Sequence, residues 1–147
     1  MAGRKESAVS VPEGERKKGN LEVLIKARGL AIYTTTILSN RNVFVPEINE
    51  ELIHRIEQCA LDIAGFTFSA NNIRAGTNPE NRRIRYDLQE RAITLCDEMH
   101  MYINVAKSVY HLRSRRIKYW SGLISELRKL LQAWKESDVE RYGQPKR

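Results

Sequence analysis

The chain has 147 residues, enough for one domain with a sizeable core, and 41% of them are hydrophobic. Its two cysteines, Cys59 and Cys96, are too few and too widely spaced for a disulfide framework or a zinc site. No apolar run could act as a signal peptide or approach the roughly 20 residues of a membrane span, so the expectation is a soluble cytoplasmic protein with no membrane partner. The net charge of +7 is uneven: residues 113–147 hold ten cations and four anions, and residues 1–20 hold five and three. The stretch between them is nearly balanced. A basic region of this kind favours a polyanion such as nucleic acid, or an acidic partner.

Residues 1–19 show no period and few large apolar side chains, which predicts a disordered basic tail. Four amphipathic segments follow. The first spans about Asn20 to Leu38, with Asn20 as a plausible N-cap and Leu24, Ala27, Ala31, Thr34 and Leu38 as its stripe. Thr34-Thr35-Thr36 opposes helix there, because β-branching restricts χ1. The second runs from about Glu47 to Ala75 along Leu52, Ile56, Cys59, Ile63, Phe66, Ala70 and Ile73. Its early Glu47, Glu50 and Glu51 suit the positive end of a helix dipole, and Gly76 can end it. The third starts at Asn78-Pro79, a cap followed by proline at the first helical position, and continues to about Lys107. Ile84, Leu88, Ala92, Leu95, Met99, Tyr102 and Ala106 form its apolar face.

The fourth begins near Ser114 and frays near Asp138. Ile117, Trp120, Ile124, Leu127, Leu131 and Trp134 keep unbroken 3-4 spacing. Four such segments with short connections predict an all-α fold, an antiparallel up-down-up-down four-helix bundle over residues 20–139, with a polar tail at 140–147. The apolar arc of the fourth helix, widened by Leu123 and Leu130, is about 140° across, more than the ~100° a bundle helix usually needs. Part of it, with the first helix, is expected to bury against another copy.

No phosphate loop, nucleophile elbow or HExxH is present. The sharpest catalytic candidate is a metal site in the bundle. Glu51 and His54 on the second helix and Asp97 and His100 on the third have ligand-like spacing, with Glu22 and Glu126 as partners. At about 100° per residue, His54 lies roughly 200° from Leu52, and Asp97 roughly 200° from Leu95. These groups should therefore face water, and neither a metal nor another cofactor is expected.

The basic restart "YHLRSRRIKYW" (Tyr110 to Trp120) offers a different chemistry. With Leu127 at the centre of the buried face, Ile117 and Trp120 turn inward. Lys118 and Lys129 fall near 180° from it, with Ser121, Gly122 and Ser125 between them and Arg115 to one side. That face could hold a phosphate backbone without reading its sequence. It could equally be an ordinary solvated face. Some of its cations could also pair with Glu47, Glu50 and Glu51, if antiparallel packing brings them together.

Three stretches carry a family resemblance. They are "VFVPEINEELIHRIEQCALDIAGFTFSANNIRAG", "RYDLQERAITLCDEMHMYINVAKSVYHLRSRRIKYW" and "LISELRKLLQAWKES". Their order and spacing, over about residues 20–137, resemble the accessory variability determinant (Avd) proteins of diversity-generating retroelements. That superfamily also includes proteins encoded within intervening sequences of bacterial ribosomal RNA genes. Where the family commonly has a Gly-rich pattern, this chain carries Arg128, Gln132 and Ala133.

The resemblance implies a nonenzymatic homopentamer that binds RNA or DNA and associates with a reverse transcriptase and its template RNA. By position, its basic surface corresponds to Arg113, Arg115, Arg116, Lys118 and Lys129. Arg82, Arg83 and Arg85, at the other end of the bundle, could extend the path. The alternative is a protein-interaction bundle of a mobile element that does not touch nucleic acid.

Overall fold

The computed structural model describes residues 13–76 and 78–146, with side chains from Gly19 onward. Four helices account for its regular structure: α1 (Glu13–Leu38), α2 (Pro46–Asn72), α3 (Pro79–Tyr110) and α4 (Ser114–Tyr142). Each packs on its neighbours in the chain, and α1 closes the ring on α4. The diagonal pairs, α1 with α3 and α2 with α4, stay apart across the core. This is the all-α four-helix bundle that the periodicity implies, and no strand occurs among the described residues.

Helix α1 begins at Glu13, not at Asn20. The run Glu-Gly-Glu-Arg-Lys-Lys is rich in helix formers, which outweighs the turn preference of Gly19-Asn20. The expected tail thus shrinks at its inner end, and residues 1–12 lie outside the described residues. The three threonines stay helical because Thr34 has a partner in the core: the Trp120 indole N–H donates to its Oγ1 at 3.0 Å. Neither residue is measurably exposed.

Proline 46 opens α2, but Asn49 (φ −162°, ψ 81°) breaks the first turn. The Asn49 side chain then accepts from the Leu52 N–H at 3.1 Å, so it is the effective cap of the long segment. Its displaced carbonyl accepts from the Tyr110 hydroxyl at 2.7 Å. The loop before α2 is no mere connector. Phe44 plugs this end of the bundle, with its ring 5.3 Å from Tyr110 and 6.2 Å from Trp120. Helix α3 starts as expected, with Asn78 accepting from the Asn81 N–H at 2.8 Å. It extends past Lys107 to Tyr110 and ends at His111 in the left-handed region (φ 53°). Histidine tolerates that conformation better than most side chains.

Helix α4 does not fray at Asp138. It runs to Tyr142 and stops at Gly143, whose positive φ of 81° suits a glycine. Its apolar arc is spent inside the chain: Ile117, Trp120, Ile124, Leu127, Leu131 and Trp134 are buried, with Leu123 and Leu130 packed beside them. Exposed apolar side chains lie instead on the outer face of α1, where Leu21, Ile25 and Ile32 are 51–58% exposed, and on α2 and α3, at Leu61, Phe68, Met101 and Val105.

Candidate nucleic-acid interface

Helix α4 presents Arg115, Lys118 and Lys129 on the side away from the core, with Arg113 at its N-cap. Arg113, Arg115, Lys118 and Lys129 are exposed, with exposed Gly122 and Ser125 and half-buried Ser121 between the lysines. Lys118 and Lys129 are eleven residues apart, so they align on one face about 16 Å apart along the axis. Among the described residues, none of these four cations has a carboxylate partner within 4 Å. Arg116 is half-buried beside Tyr33. Burial pushes the Tyr33 phenol above its ordinary value, and the Arg116 charge opposes that shift.

The acids at the start of α2 do not neutralise this strip. Glu50 pairs with His54 (3.4 Å) and Glu51 with Arg55 (3.1 Å), each on its own helix. The reason is topological: α2 and α4 are diagonal, so Glu47, Glu50 and Glu51 never meet Arg113, Arg115 and Arg116.

One aromatic group joins the strip. Tyr119 is 57% exposed and meets Tyr33 edge-on at 5.1 Å. In the Tyr119-Trp120 pair the inner ring is core, while the outer one is exposed. The sequence signal was the adjacency itself, because successive helical residues diverge by about 100°.

At the opposite end of the bundle two of the expected contact residues are buried. Arg85 is buried. Its Nε and Nη2 donate to Asp138 at 2.7 and 3.1 Å, and its Nη1 donates to the Ile73 carbonyl at 3.0 Å. One guanidinium thereby ties α3 to α4 and to the end of α2, with the Trp134 ring 5.0 Å away. Gln89 adds a third bond to the same carboxylate at 2.9 Å. Arg82 is only 5% exposed, and its Nε and Nη2 donate to the Gly143 carbonyl at 3.3 and 2.9 Å. Both arginines are placed by packing and do not face a surface ligand as part of the α4 strip. Arg83, half-buried, pairs with Glu80 and Asp87 on its own helix.

The groups considered for a metal are scattered. Asp97 is held by Arg128 of α4 at 2.8 and 3.3 Å, while Glu51 and His54 point outward on α2. His100 is half-buried at 3.3 Å from the Ser125 hydroxyl, and burial lowers its pKa despite the opposing charge of Asp97. Glu126 pairs with Lys26 across α1 and α4 at 3.2 Å, and Glu22 is exposed. Among the described residues no group of three or more His, Cys, Asp or Glu side chains could hold a metal ion. Nor, among them, is any helix long and apolar enough to cross a membrane.

No protein-family model matches this chain, and neither a curated protein nor a solved structure matches it significantly.

Proposed function

We propose that this bundle is a nonenzymatic nucleic-acid-binding protein whose contact surface is the outer face of α4. The observation that carries this reading is a run of exposed cations without ion pairs along one face. Arg85, Arg128 and Lys135 elsewhere in the bundle have carboxylate partners. Those along the outer face, Arg113, Arg115, Lys118 and Lys129, have none among the described residues. Unpaired cations aligned on a low-relief face suit a phosphate backbone and carry no base readout. Tyr119 beside them offers a ring for an unpaired base, which favours single strands over duplex.

The wider setting rests on the resemblance of the three helical stretches to Avd proteins: a cytoplasmic ribonucleoprotein with a reverse transcriptase and its template RNA, and a homo-oligomer of five copies. Self-association is also supported by the outward Leu21, Ile25 and Ile32 of α1. Light scattering at micromolar concentration tests it, and a monomer would remove it.

The decisive experiment replaces Arg115, Lys118 and Lys129 together by Gln. All three are exposed, so the fold should persist. Binding to unrelated single-stranded RNAs should weaken by a similar factor for each. The slope of log affinity against log salt should flatten by about 2, near 0.7 for each phosphate no longer neutralised. Unchanged affinity and slope would leave the second reading, a protein-interaction bundle. That reading is favoured by the apolar outer residues Leu61 and Phe68 of α2 together with the α1 stripe.

A further inference from the structure

The end of the bundle remote from Arg113 holds more buried positive charge than its carboxylates offset. Asp138 spends both oxygens on Arg85 and Gln89. Arg82, one turn earlier on the same face of α3, meets no carboxylate among the described residues. Its acceptor is the neutral Gly143 carbonyl, and its Nη1 is buried without a partner. Burial lowers its pKa; Asp138 opposes that and Arg85 reinforces it. A buried donor with no acceptor forfeits its hydration, and in native proteins such a group usually marks a water or an ion.

Arg82 also lines a cleft of about 390 Å³ between the start of α3 and the chain beyond α4. Asn78, Tyr142 and Lys146 line it too, and among the described residues no Asp or Glu does. The first turn of α3 adds the positive end of its dipole, offset in part by Glu80, but few free donors, because Pro79 has no N–H and the Asn78 side chain holds the Asn81 N–H. Gly76 keeps the cleft open at the back: a Cβ there would stand 3.3 Å from the Tyr142 ring.

We propose that this cleft is a binding site for a phosphate group, held by Arg82 and Lys146. The Nε–Nη2 edge of Arg82 is committed to Gly143, which leaves the Nη1–Nη2 edge. That edge is a two-donor fork matched to two oxygens of a tetrahedral oxyanion. Lys146 adds a point charge from the rim. Seating the anion on Nη1 requires the outer wall, residues 144–146, to move outward. The site is separate from the α4 face and stands whether or not that face binds RNA.

The test is a titration of the full chain with inorganic phosphate at constant ionic strength, with chloride as the balancing salt. It follows the backbone amides and the Arg82 Nε–H by NMR. The expected result is a saturable shift confined to residues 76–82 and 142–146. Lys146→Gln, an exposed change, should weaken the apparent affinity about three- to tenfold, and Arg82→Gln should abolish it. The Arg115, Lys118 and Lys129 triple variant should titrate like the wild type, which separates this proposal from the nucleic-acid reading.

Competition identifies the source of the phosphate, and each result supports the site. Displacement only by a 5′-phosphorylated RNA points to a terminal monoester, and equal displacement by its 5′-hydroxyl twin points to the backbone. Displacement by neither points to a free or small-molecule phosphate. A linear response matched by chloride, or a saturable one untouched by Lys146→Gln, would overturn the proposal.

Discussion

Replacing Asp138 by Ala should be among the most damaging single changes in this protein, although sequence periodicity alone places the residue at a fraying end. Its carboxylate accepts three bonds, two from Arg85 at 2.7 and 3.1 Å and one from Gln89 at 2.9 Å. The Arg85 and Asp138 side chains are only 11% and 1% exposed. Truncation leaves the Arg85 guanidinium buried with one carbonyl and a ring face for company. Breaking a buried pair from one side costs about 3–5 kcal/mol. At about 2–4 °C per kcal/mol for a domain of this size, the melting temperature should fall by roughly 6–20 °C.

Urea unfolding followed by circular dichroism at 222 nm gives the number directly, provided the m-value is unchanged. A companion variant sharpens the argument. Arg85→Met combined with Asp138→Leu removes both charges, so it should be less destabilised than Asp138→Ala alone, although the Ile73 carbonyl and the Gln89 amide lose partners. A loss below about 1 kcal/mol for Asp138→Ala would mean that the pair is hydrated, and the account of this layer would be wrong.

Two further outcomes follow from the core. Trp120→Ala removes the largest fully buried side chain and its bond to Thr34, and should cost about 3–5 kcal/mol in the same urea assay. Cys59 and Cys96 are buried thiols, each pushed up to about 12 chiefly by burial. A thiol reagent at pH 8 should therefore modify neither in the folded protein, and modification should appear with the urea transition; rapid labelling without denaturant would refute their enclosure.

The apolar layers were readable because each helix repeats one pattern for many turns, and Ile117 through Trp134 show it most plainly. The polar layer was readable in principle by the same rule. Arg82, Arg85, Gln89, Ala92 and Cys96 continue the 3-4 series of α3, and Asp138 is the next step after Trp134 on α4. Charge usually means surface, so on α4 the series looks finished at Trp134, and on α3 the stripe reads instead through Leu88 and Ile84, which are only half-buried. Two residues of opposite sign, at matching ends of adjacent antiparallel helices and in step with both stripes, were the sign that it continued. Phe44 left no comparable trace, since a single plug in a loop has no period. The unneutralised state of the α4 face was also beyond the sequence. It depends on which helices are diagonal, and the heptad-like pattern alone does not order four helices around a ring.

The Asp138–Arg85 pair also bears on register. A seam of Ile, Leu and Trp against Ala, Ile and Met is nearly indifferent to a slide of one helical turn, about 5.4 Å, because an apolar side chain that leaves one rung meets an equivalent one on the next. The polar rung has no such tolerance. Moved one way along α3, Asp138 would enter the apolar layer at Ala92 and Ile93; moved the other, it would come level with Arg82 and give up its bond from Gln89. The observed alignment of α3 and α4 is the one that gives Asp138 both Arg85 and Gln89, so a rung that adds little net stability can still decide which of several similarly greasy bundles the chain becomes.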